Sequence, residues 1–145
     1  MKIQSEKPDL LEVLTTNTVE YFKWYPPNDP KHDAIMDNFG VIFPFSWGRI
    51  LTDKVNFKVQ EVGGADCSHA DMIELISAQL RNYDRDSMVY VMWSNMITGI
   101  MEVHTSTVLK YLKIIYDQDF DFWVFDVNYG WCIECYHSGS IIFFT

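Results

Sequence analysis

The chain has 145 residues, 48% hydrophobic and 16% aromatic, with a formal net charge of −9. That length and apolar content suit one folded domain and exclude a disordered chain, because enough surface can be buried to offset the ordering entropy. The acidic balance disfavours nucleic acid and anionic membrane as ligands and favours a basic partner met by steered association, although an acidic surface also serves solubility alone.

No run approaches the roughly 20 apolar residues that span a bilayer. The opening segment MKIQSEKPDLLEV lacks the apolar stretch of a secretory signal, which points to the cytoplasm. Three cysteines, an odd number, fit reduced thiols better than a disulfide framework.

In chain order, Ser5 to Tyr25 reads as a helix, with Pro8 in its first turn and Leu10, Leu11 and Leu14 on one side. The run TTNT breaks or kinks it, and Asn17 with Glu20 offers a fresh capping box for a second half buried through Val19, Phe22 and Trp24. Pro26 and Pro27 stop it. Asp29-Pro30 starts a short helix through Phe39, closed by Gly40. Residues 41–50, broken by Pro44 and Gly48, read as an irregular edge strand or packed loop. Lys54 to Val62 alternates polar and apolar, so it is expected as a strand solvated on one side of an antiparallel sheet, ended by Gly63-Gly64.

Asp66 or Ser68 caps a helix with Met72, Ile73, Ile76 and Leu80 on its inner face. MVYVMW, 88–93, is apolar throughout and reads as a central strand, with Gly99 to Val103 as its hairpin partner. Thr105 or Ser106 caps a last helix carrying Val108, Leu112 and Ile115 inward. Asp119 to Thr145 reads as three strands. They are joined by turns at Asn128-Tyr129-Gly130, with Gly130 available for positive φ, and at His137-Ser138-Gly139. The expectation is one α+β domain over 1–145. It holds a mainly antiparallel sheet of about five or six strands, three or four helices and a C-terminal β-meander.

Three groups of residues bear on chemistry. Cys132 and Cys135 form a CxxC followed by His137. Residues three apart in a strand point to opposite faces, so these thiols read as buried and structural, without metal or cofactor. Cys67 with His69 at a helix start reads as a capping turn rather than a nucleophile and its base. The carboxylates Asp117, Asp119, Asp121, Asp126 and Glu134 lie close in sequence to Trp123 and Tyr129. They allow two readings, a solvated strand end or a recognition patch for a basic partner. No catalytic motif accompanies them, so no enzyme is expected.

The strand VYVMWS (Val89 to Ser94), the segment DFWVFD (Asp121 to Asp126) and WCIECYHSGSI (Trp131 to Ile141) resemble the back half of small bacterial immunity proteins. Those are cytosolic antidotes of contact-dependent growth inhibition and other polymorphic toxin systems. The resemblance covers the last third to two-fifths of the chain. It implies a non-catalytic protein, monomer or homodimer, that neutralises a cognate and basic toxin domain such as a nuclease. Asp117, Asp119, Asp121, Asp126 and Glu134 are then the expected patch, with Trp123 and Tyr129 as anchors. A general interaction module or oligomer subunit is the alternative, and a cysteine- or zinc-dependent enzyme the more distant one.

Overall fold

The apolar run MVYVMW is the strand around which the molecule is layered. The computed structural model describes residues 5–19, 21–95 and 97–145. Its elements are α1 (Asp9–Thr16), β1 (Phe22–Tyr25), α2 (Pro30–Ile42), β2 (Phe45–Ser46), β3 (Arg49–Ile50), β4 (Val59–Gly63), α3 (His69–Leu80), β5 (Met88–Trp93), β6 (Ile100–His104), α4 (Thr105–Gln118), β7 (Phe122–Asp126), β8 (Cys132–Cys135) and β9 (Ser140–Phe144). Seven strands form one sheet in the order β1-β6-β5-β7-β8-β9-β4, and β2 pairs with β3 in a separate small hairpin. Every pairing is antiparallel, and β7, β8 and β9 are the expected C-terminal meander.

Side chains alternate across a strand, so a sheet covered on both faces has two cores. On one face Val89, Val91 and Trp93 pack with Met101, Val103, Phe122, Val124 and Ile133 under α1, α3 and α4. On the other, Tyr90, Met92, Trp123, Phe125 and Phe144 pack with Ile35, Phe39 and Phe43 of α2 and its following turn. Each such side chain removed from water contributes about 1.5–3 kcal/mol before entropy is counted. The buried indole of Trp93 donates to the Ile115 carbonyl at 3.0 Å, so its burial leaves no donor unpaired.

Local signals account for several helix ends. The Asp29 carboxylate accepts from the Lys31 N–H at 2.8 Å, with Pro30 opening α2. Ser68 Oγ accepts from the Asp71 N–H at 3.1 Å and caps α3.

Five expectations about local structure are corrected. The second half of the first helix is instead β1, in register with β6 from Phe22↔Val103 to Tyr25↔Ile100. The chain leaves the helix at Asn17 and turns through Thr18, whose φ is +50°. The capping role read for Asn17 with Glu20 involves Glu20, which lies outside the described residues. Gly40 does not close α2, which runs on to Ile42. The strand expected from Lys54 begins only at Val59, where pairing with β9 starts, and Val55 and Phe57 pack on the α2 side as loop residues. Neither Thr105 nor Ser106 caps α4: both lie inside the helix after His104, and the Thr105 hydroxyl donates to the Ser87 carbonyl. In the β7–β8 turn the positive φ belongs to Tyr129, at +59°, and not to Gly130.

Candidate functional site

The residues expected to form a patch fall in three places. Asp117, Asp119 and Asp121 gather where α4 hands over to β7. Asp117 pairs with Lys113 one helical turn back at 2.6 Å. Asp119 Oδ2 accepts from Ser94 Oγ and the Asn95 N–H at 3.0 and 3.1 Å, while its other oxygen accepts from the Asp121 N–H at 3.0 Å. Asp121 in turn accepts the His137 N–H at 2.7 Å, with the His137 ring nitrogen Nδ1 at 2.9 Å. These carboxylates fasten the α4–β7 junction to the turn after β5 and the turn after β8. Phe120 stands among them, 42% exposed, with its ring 5.2 Å from His69.

Asp126 and Tyr129 lie at the far end of β7, roughly 16 Å along the strand from Asp121. Asp126 accepts from the Gly130 N–H at 3.1 Å and closes the β7–β8 turn, and Tyr129 stacks on Phe125.

Trp123 and Glu134 are inside the protein, 5% and 1% exposed. They sit opposite each other on β7 and β8, facing α2. The Trp123 indole donates to Glu134 Oε2 at 2.9 Å, and the Ile50 N–H donates to the same oxygen at 2.7 Å. Arg49 Nε reaches the other oxygen at 3.3 Å. Burial raises the Glu134 pKa, opposed by the Ile50 and Trp123 hydrogen bonds and by the Arg49 charge. A buried carboxylate is costly unless its oxygens are satisfied, and here three donors converge on it. Two of those donors belong to β3, so Glu134 fixes the small hairpin over the sheet. Arg49 extends the hold, with its guanidinium 4.2 Å over the Tyr136 ring and Nη2 donating to Ser140 Oγ at 3.1 Å.

Within 41–50, which reads in the sequence as an irregular edge strand or packed loop, the hairpin held in this way is a pair of two-residue strands apart from the main sheet. It presents Phe45 and Trp47, both exposed. Beside it opens an apolar cleft of about 220 Å³ whose lining includes Met36, Phe45, Met92, Trp123, Ser94 and Asn95. Asp119 is bonded to Ser94 and Asn95, two residues of the cleft lining.

The thiols are placed as strand geometry requires. Cys132 packs in the core on the α2 side and Cys135 in the core on the opposite face. Burial pushes the Cys132 thiol well up and takes Cys135 to about 12. Cys67, half-buried, is also raised, first by burial and then by Asp71, the opposite of what a nucleophilic thiolate needs. The neighbouring His69 ring packs on Tyr116 and Phe120. Among the described residues no group of three or more His, Cys, Asp or Glu is arranged to hold a metal ion.

The exposed hairpin, the apolar cleft beside it and the carboxylates held at the α4–β7 junction are features that a protein-binding surface can use. The family model described as CdiI immunity protein EcoliA0-like matches residues 27–144, and the chain belongs to that family. The likeness first seen in the C-terminal strands thus extends back through the hairpin and α2. Its general function follows from membership: it is an immunity protein, of the class that neutralises a toxin. No curated protein matches the chain.

Proposed function

We propose that this immunity protein acts in the cytoplasm without catalysis, by binding a basic toxin domain such as a nuclease through its acidic and aromatic surface. The observation that carries the reading is the net charge of −9 on a member of an immunity family. Complementary charge speeds encounter and disfavours wrong partners, while buried aromatic anchors slow release. In this reading Asp117, Asp119 and Asp121 steer the toxin toward the end of the sheet where Phe120 is exposed, with Asp126 and Tyr129 a second acidic-aromatic spot at the other end. Trp123 and Glu134 serve the same function from within, by fixing the hairpin rather than by touching the toxin. Among the described residues no helix is long and apolar enough to cross a membrane.

The test is to titrate the activity of the purified cognate toxin domain with this chain. The reading predicts complete inhibition at one equivalent and an affinity that falls as salt rises. Residual toxin activity at excess immunity protein would contradict it. Asp117→Lys is the cleanest probe of the acidic end, because Asp117 holds no turn together. It is expected to slow association severalfold at low salt while leaving dissociation nearly unchanged. An equal association rate would remove Asp117 from the steering surface.

A further inference from the structure

Four of the six exposed large apolar side chains among the described residues fall between positions 41 and 51: Val41, Phe45, Trp47 and Leu51. Of these Trp47 is the most exposed, at 98%. It also has a φ of +56°, followed by Gly48 at +77°. Trp47 and Gly48 are the two residues that join β2 to β3. Two positive φ values make a turn whose first position favours Asn, Asp or Gly. A bulky side chain is disfavoured in that left-handed conformation, and a fully exposed indole gains nothing from folding. Neither turn chemistry nor core packing accounts for a tryptophan here. Recognition does, since tryptophan is the residue most enriched among interface anchors.

We propose that the Trp47 hairpin is the principal anchor of the toxin-docking surface, a preorganised knob that enters an apolar pocket bordered by basic groups on the cognate toxin domain. The proposal rests on the immunity reading above and deepens it. Two further observations support it. The base of the hairpin is rigid, because Glu134 holds Ile50 and Arg49, and the Leu51 N–H donates to the Pro44 carbonyl at 2.7 Å. A knob already fixed in its bound shape loses little entropy on docking. The surroundings are acidic as well. Asp33, Asp37 and Asp53 are exposed along 33–54 against one exposed cation, Lys54, while Arg49 in the same stretch is paired with Glu134, and the whole chain carries −9. That charge suits a cationic rim around the receiving pocket. It opposes docking onto a second copy of this acidic chain.

The experiment compares wild type with Trp47→Asn for affinity to the purified cognate toxin domain, for thermal unfolding, and for mass by sedimentation. Asn suits the turn, so the variant is expected to keep or raise its Tm and stay monomeric while its affinity falls about 30-fold or more. In the wild-type complex the acrylamide-accessible tryptophan emission is expected to become protected. Wild type failing to bind the toxin would defeat the immunity reading and this proposal with it. Wild type binding while Trp47→Asn binds within about fivefold, below the level of an anchor residue, would overturn the proposal alone. So would a wild-type dimer that Trp47→Asn dissolves, which would make the hairpin a contact between copies, or a variant that unfolds, which would make Trp47 a structural residue.

Discussion

Glu134 shows what a single charged residue does when strand alternation turns it inward. Its carboxylate joins β8, β7 and the small hairpin through the Ile50 N–H, the Trp123 indole and Arg49. Truncation in Glu134→Ala would leave two buried N–H groups unpaired, so a loss of about 2–4 kcal/mol is expected in urea unfolding. The pH dependence has a definite sign. Burial raises the folded pKa above the ordinary 4.5, so the native state holds this proton more tightly than the unfolded chain. Stability from this group is therefore complete below that ordinary value and is lost as pH rises through the folded one. The melting temperature of wild type minus that of Glu134→Gln should accordingly fall as pH is raised from 4 toward neutrality. A difference that grows would show that the Arg49 pairing outweighs burial. The cysteines give a second test at this scale. With Cys132 and Cys135 buried and their thiols raised, only Cys67 should react with an aromatic disulfide at pH 8 in the native protein, and all three should react in denaturant.

Among elements, the connections between strands carry as much of the architecture as the strands do. Gly139 has a φ of +94°, and a Cβ there would run into the Gly64 carbonyl oxygen. Its own carbonyl accepts the Gly64 N–H at 2.9 Å, tying the β8–β9 turn to the end of β4. Gly139→Ala combines backbone strain with a clash against main chain, so a loss of about 2–4 kcal/mol is expected by chemical denaturation. The elements that could be read from the sequence are those with a full period of pattern. MVYVMW gave a covered central strand, and Ser68 with its downstream apolar stripe gave α3. The hairpin at Phe45–Ile50 could not be read, because strands of two residues have no periodicity and tryptophan is not a residue the turn pattern anticipates. β1 was masked by coincidence. Val19 and Phe22 are three apart, a helical spacing, whereas what decides the conformation is pairing with β6 far along the chain. Glu134 was misleading in a similar way. Its charge suggested a surface, and its inward role depends on Arg49 and Ile50, more than 80 positions earlier.

At the scale of the molecule, a two-core α+β sandwich carries carboxylates at the ends of its sheet and an apolar hairpin projecting from one face. In the proposed mode of binding, the division of labour follows from range. Charge acts over about a Debye length, roughly 8 Å at physiological ionic strength, and governs encounter, whereas an indole acts only on contact and governs release. The measurement that bears most directly on this account is the association rate with the purified cognate toxin domain as a function of ionic strength. Electrostatic steering by an acidic inhibitor predicts an association rate that drops steeply with salt and a dissociation rate that barely changes. An association rate indifferent to salt would contradict a basic toxin captured by an acidic surface.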